Sequence, residues 1–193
     1  MRRHAALGCL AALWVAAPAA AQDLLCEDWW FARNLIFDRA GYCFTSPLGQ
    51  ALFDNADCTT RAPDLRPDLA ALVAEIRARE TEEGCAVDTA RTALSDPGAV
   101  EPYRLMEDIP VREPFESGCI GYRGAPVAVR TGLRPDAPVA GTIAAGASIG
   151  FGHVPRGASD YIVVLPDPDS LKGAFWGWAD FPPGPLPCDV QAG

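Results

Sequence analysis

Histidine is almost missing from this sequence. There are two in 193 residues, and His153 alone lies beyond position 4. Any Ser-His-Asp or Cys-His arrangement in the body of the chain must therefore use it. No nucleophile signature accompanies it. It sits in a glycine-rich hairpin, Gly150-Phe151-Gly152-His153, and is expected as a solvent-exposed residue at a strand end. No C-x-x-C pair occurs, and one histidine gives zinc no ligand set. No phosphate loop or dinucleotide fingerprint appears. Asp167-Pro168-Asp169 is a lone D-x-D between prolines, a loop before it is a calcium site. Glu80, Glu82 and Glu83 read as a solvated helix face. No catalytic residue, cofactor or metal is therefore expected. A basic run is also lacking. The net charge is -9, which argues against nucleic acid and anionic lipid as partners and reads as a means of staying soluble. Past the N-terminus no apolar run approaches the ~20 residues a membrane span needs.

What the N-terminus does have is an export signal. Arg2, Arg3 and His4 give a positive start, Ala5 to Val15 is almost wholly apolar, and Ala19-Ala20-Ala21 fits an A-x-A cleavage site before Gln22. Residues 1–21 are read as a cleavable signal peptide, so the mature protein is expected in the periplasm or outside the cell. Six cysteines follow it: Cys26, Cys43, Cys58, Cys85, Cys119 and Cys188. An even number in an exported chain reads as three disulfides, which leaves no thiol as a nucleophile.

Residues 22–98 carry helical patterning. Trp29 to Arg39 is expected as a helix started by Asp28, whose carboxylate suits free N–H groups. Trp29, Ala32 and Ile36 form its apolar stripe, and Gly41 is its stop. Ser46-Pro47 opens a second helix over Leu48 to Phe53. Pro67 opens a third to about Glu83, with Leu69, Leu72, Val73 and Ile76 at helical spacing. A helix from 29 to 39 spans roughly 16 Å, too far for Cys26 to pair with Cys43 across it. If the second helix returns antiparallel, Cys26 meets Cys58 and Cys43 meets Cys85, which leaves Cys119 with Cys188. This is one choice of fifteen.

The segment from Phe31 through Ala32, Arg33, Asn34, Ile36, Phe37, Arg39, Gly41 and Tyr42 to Phe44 resembles the YARHG domain, a small extracellular bacterial domain. It departs at Ala40, where the family often has His, and in its added cysteines. The resemblance implies work at the cell surface or on peptidoglycan. Arg33, Asn34 and Arg39 are candidate ligand groups within it. The alternative is that they satisfy backbone carbonyls around a tight helix-turn. The whole chain is similar to a family of exported alphaproteobacterial proteins with the same helical start.

From Ala90 to Pro114 periodicity fades and prolines and acids gather, so an extended connector is expected over residues 99–115. Residues 116–193 then read as β. Candidate strands are Ile120-Gly121-Tyr122, Val127 to Arg130, Val139 to Ile143, Ser148 to Val154, Tyr161 to Leu165 and Phe175 to Ala179, with glycine turns between. Short strands at such spacing suggest a small barrel. Val129-Arg130-Thr131-Gly132-Leu133, Gly141-Thr142-Ile143-Ala144-Ala145-Gly146 and Gly177-Trp178-Ala179 come in the order of a bacterial SH3-like domain, which this half resembles.

The expected fold class is thus α+β: a small disulfide-stapled helical N-terminal domain followed by an SH3-like β-barrel. The SH3-like resemblance implies a groove for cell-wall peptide or another envelope ligand. Tyr122, Tyr161, Trp176 and Trp178 are its expected aromatic lining. Trp178 is expected to plug the barrel, and Trp176 to alternate onto the other face. The function expected is a non-catalytic binding module for cell-wall peptide or an envelope protein. The alternative is a periplasmic enzyme or enzyme inhibitor with a site at the domain junction, using Arg33, Asn34 and an acid.

Overall fold

The computed structural model describes residues 19–168 and 170–193. Of the expected signal peptide, residues 1–18 lie outside the described residues; of 19–21 only the backbone is described. Among the described residues, four α-helices and a short 3-10 turn precede seven strands. They are α1 (Ala19–Arg39), α2 (Pro47–Leu52), α3 (Pro67–Glu82), α4 (Pro97–Val100), a 3-10 turn (Glu101–Leu105), β1 (Arg112–Tyr122), β2 (Val127–Arg130), β3 (Val139–Ile143), β4 (Ser148–His153), β5 (Ser159–Leu165), β6 (Phe175–Asp180) and β7 (Cys188–Ala192). The class is α+β, a disulfide-bonded helical region followed by one antiparallel sheet. No described helix is long and apolar enough to cross a membrane.

α1 begins well before Trp29. Asp28 is therefore no cap but an interior helical residue, 1% exposed. Its carboxylate finds partners across the core instead. α2 does start as its sequence asks, with the Ser46 hydroxyl accepting from Gly49 N–H ahead of Pro47. α3 runs antiparallel to α1. Arg33 pairs with Glu80, and the Arg77 guanidinium lies 5.8 Å from the centre of the Phe37 ring.

The disulfides follow from this geometry. Cys26 pairs with Cys85, Cys43 with Cys58 and Cys119 with Cys188, with Cα separations of 5.4, 5.0 and 5.4 Å. The expected Cys119–Cys188 pair is present. The other two expected pairs are exchanged. Cys26 lies inside α1, and the antiparallel α3 ends beside it, which delivers Cys85. Meanwhile α2 only loops out and back, so Cys58 returns to Cys43.

In the sheet the strand order is β3-β2-β6-β5-β4-β1-β7. Its two faces bury separate cores. One packs Val129, Ile143, Ile149, Ile162 and Val164 with the Cys119 end of its disulfide. The other turns Tyr161, Trp176 and Trp178 against the helices. Trp176 and Trp178 share this face, because side chains two apart in a strand point the same way. The expected alternation of Trp176 onto the opposite face is thereby corrected. Gly177 between them sits where a Cβ would lie 2.4 Å from Arg130 O, so glycine is needed for β2 and β6 to meet.

The stretch between the halves is packed. Pro97–Val100 and Glu101–Leu105 are helical, and Val100, Tyr103, Met106, Ile109 and Val111 are buried. These apolar residues fill the seam between α1 and the sheet, so the prolines start short turns there. Trp29 Nε1 donates to Arg112 O at 2.8 Å, and Trp178 Nε1 to Asp108 O at 2.9 Å. The helical layer and the sheet thus share one core.

Candidate functional site

Three clefts bear on the residues singled out in the sequence, and they divide them. The largest, about 610 Å3, is a groove in the C-terminal half. Tyr122 and Trp178 form part of its floor, each 2% exposed. Tyr122 is held by donating its hydroxyl to Ala125 O at 2.9 Å, and Gly124 leaves room for the ring. One wall is the proline run Pro182, Pro183, Pro185 and Pro187, and Arg130, Arg134 and Asp180 supply charge. Arg130 donates to Ala137 O at 2.9 Å. Arg134 is largely exposed and lies 3.2 Å from Glu107 Oε2. A second cleft of about 460 Å3 opens between α1, α3 and the sheet, with Arg39, Arg66 and Arg156 on its walls and Trp178 at its base.

The third cleft, about 240 Å3, lies at the junction of the two halves and takes Tyr161 and Trp176. Beside it runs a chain of hydrogen bonds that links both halves. Tyr103, from the 3-10 turn, donates its hydroxyl to Asp28 Oδ2 and Oδ1 at 2.8 and 3.0 Å. The same hydroxyl lies 2.7 Å from His153 Nε2. Arg112 Nη1 is 3.6 Å from Asp28 Oδ2, and Arg112 also pairs with Glu116. The Tyr161 ring packs edge-on against His153 and Trp178, with centroids 4.6 and 5.5 Å apart. The buried Tyr161 hydroxyl has no hydrogen-bond partner among the described residues.

Burial sets the ionisation here. It raises Asp28 to about 7 against the pull of Tyr103 and Arg112. Burial, helped by Arg112, lowers His153 to about 3, so the imidazole is neutral. Burial and the nearby Asp28 carboxylate raise both tyrosines. The Tyr103 hydroxyl lies between the Asp28 carboxyl and His153 Nε2, which donates or accepts according to its tautomer, and this leaves two arrangements. With Asp28 ionised, Tyr103 donates to it and His153 Nε2–H donates to the Tyr103 oxygen, so Nδ1 bears a lone pair. With Asp28 protonated, its O–H donates to Tyr103, Tyr103 donates to Nε2, and Nδ1 bears the proton. The proton on Asp28 thus decides whether the far side of His153 accepts or donates.

His153 is therefore not the exposed strand-end residue expected. It is partly buried, and its partners come from elements far away in sequence. The sequence carries no signal of this beyond the scarcity of histidine itself. Asp28 was legible only as an acid in the wrong role.

Arg33 and Asn34 come together with none of the aromatics. Arg33 makes a bidentate pair with Glu80, its Nε 3.0 and 3.1 Å from the two carboxylate oxygens, which takes Glu80 out of the expected solvated face. Asn34 Nδ2 donates to Trp30 O one turn back at 2.7 Å. Arg39 donates to Tyr103 O and Arg104 O at 3.3 and 3.2 Å, tying α1 to the 3-10 turn. Glu27 is buried as well; burial would raise it, but the Ser95 N–H and Arg91 outweigh burial and hold it low. Among the described residues there is no group of three or more His, Cys, Asp or Glu that would hold a metal ion.

Comparison with known proteins finds two family matches. The YARHG domain matches residues 10–81, so the resemblance drawn from Phe31 to Phe44 holds over the helical half. Residues 84–193 match a second family, described as a domain of unknown function (DUF4453). The two matches meet at the end of α3, and the second takes in the packed segment with Tyr103 as well as the sheet. No curated protein and no solved structure matches the chain. Because residues 84–193 are more than half of its length, the chain belongs to the DUF4453 family.

Proposed function

We propose that the protein is an exported, non-catalytic binding module of the cell envelope. Its C-terminal sheet is read as an SH3-like arrangement, and its groove of about 610 Å3 takes a short peptide of the cell wall or of an envelope protein. The groove carries the reading. It is open and walled by prolines over the buried Tyr122 and Trp178, and it presents Arg134 at its rim. An extended, carboxylate-bearing peptide suits such a surface, with apolar contact from the prolines and an exposed guanidinium that exchanges Glu107 and Asp136 for the ligand's acid. Three disulfides support a periplasmic or secreted location, and the YARHG match supports work on peptidoglycan or the cell surface.

The test is retention of the purified protein on isolated sacculi, with calorimetry on a soluble stem peptide. Arg134→Glu should weaken both at least tenfold and leave the melting temperature unchanged. No retention at low salt, or unaltered binding by the variant, overturns the reading.

The Asp28–Tyr103–His153 chain favours a second reading, a periplasmic enzyme or enzyme inhibitor acting at the junction. That reading requires turnover of an ester or peptide substrate, or inhibition of a periplasmic hydrolase, that is lost in His153→Ala.

A further inference from the structure

The junction cleft owes its shape to missing side chains. On the sheet face that carries Tyr161, Val163 and Trp176, β4 supplies Gly150 and Gly152. A Cβ on Gly150 would lie 2.8 Å from Val163 Cγ1, and one on Gly152 would lie 3.2 Å from Glu116 Cγ. β4 thus puts no side chain of its own between Trp176 and the Arg112–Glu116 pair, and Val163 leans over Gly150 while the Glu116 stem leans over Gly152. A flat ring has a floor to lie on and a half-buried indole to stack against. The cavity of about 240 Å3 has room for one six-membered ring with its substituents.

The charges in the cleft are already matched. Arg112 pairs with Glu116 and faces Asp28, so neither a free cation nor a free anion is called for. What lacks a partner is neutral. No described residue bonds His153 Nδ1, and the buried Tyr161 hydroxyl is unpartnered. Nδ1 also changes character with the proton on Asp28. A carboxylate can only accept and an ammonium can only donate, so each suits one state alone. A hydroxyl does both.

We propose that the junction cleft binds one neutral pyranose ring, stacked on Trp176 over Gly150 and Gly152, with ring hydroxyls bonded to His153 Nδ1 and the Tyr161 hydroxyl. The site is separate from the peptide groove and does not depend on it. A glycan is the polymer that offers such rings in series.

Nitrogen-15 NMR of histidine-labelled protein tests this directly. His153 is the only histidine beyond position 4, so its two ring resonances assign themselves. Titration with N-acetylglucosamine should shift Nδ1 more than Nε2. Gly152→Val puts a side chain into the cleft against the Glu116 stem, and Trp176→Ala removes the stacking face. Each should weaken the response at least tenfold with the circular dichroism unchanged, and Gly152→Val suffices if Trp176→Ala does not fold. Glucosamine and glucuronate, charged at neutral pH, should bind more weakly than the neutral sugar. Arg134→Glu should leave the response intact, which separates this site from the groove. The proposal is overturned if N-acetylglucosamine leaves the imidazole unmoved, if the shift survives Gly152→Val, or if glucuronate binds more tightly.

Discussion

The Tyr103 hydroxyl lies 2.7 Å from His153 Nε2 and donates to Asp28 on its other side. One oxygen thus joins α1, the 3-10 turn and β4. Tyr103→Phe keeps the ring in the core but leaves the Asp28 carboxyl and the imidazole without their common partner. Unmet buried polar groups cost about 1–3 kcal/mol. Urea unfolding should show that loss in midpoint with an unchanged slope, and a neutral effect would mean that the three groups are not in contact.

Asp28 and His153 pull in opposite directions with pH. Asp28 is raised from 3.8 to about 7, so its stabilising effect is complete below the unfolded value and lost as pH rises through 7. His153 is lowered from 6.5 to about 3, so its effect is complete above 6.5 and lost as pH falls toward 3. Between the two unfolded values the folded chain holds a proton on Asp28 and the unfolded chain holds one on His153. The counts match, and stability from this pair should be flat there. Asp28→Asn removes one half. The variant should lose stability with acid from 6.5 downward, with a slope of about one proton. Chemical unfolding at several pH values reads the slope; a variant as flat as the parent would refute the assignment.

The two disulfides of the helical half should differ in worth. Cys26–Cys85 closes a separation of 59 residues and Cys43–Cys58 one of 15. On the chain-entropy account their removal costs about 4 and about 3 kcal/mol. Paired Cys→Ser variants should melt in that order. Peptide mapping without reduction should recover Cys26 with Cys85.

Arg33 and Glu80 are each less than one-fifth exposed in their side chains and meet bidentately. A double-mutant cycle on Arg33→Ala and Glu80→Ala should give a coupling of about 1–2 kcal/mol, above that of an exposed pair. A coupling near zero would place this pair with ordinary surface charges.

Much of the fold is written in local pattern. Pro67 and the apolar spacing after it mark α3, and the bounds of β2 and β3 are those of their β-branched runs. β7 went unmarked because Asp189, Val190, Gln191 and Ala192 are all exposed and alternate nothing; what holds this strand is pairing to β1 and the Cys119–Cys188 bridge. The start of α1 was misplaced because Asp28 is a good cap residue in the wrong place: its partner Tyr103 is 75 residues away. The junction site failed to show for the same reason. A hydrogen bond between residues 50 apart leaves no trace in spacing, while Tyr122, Trp176 and Trp178 announced themselves by size alone and fall in different clefts.

The cysteine pairing has a consequence for how the protein must be made. The Cys43–Cys58 bridge lies wholly inside the span of Cys26–Cys85, so the two are nested. If the protein is exported as proposed, Cys26 crosses the membrane before Cys43. An oxidant that joins thiols as they emerge would link those two, and the native fold has no such bond. Cys26 has to wait for α3 to arrive, or be released from a wrong partner afterwards. Maturation should therefore depend on a disulfide isomerase as well as an oxidase.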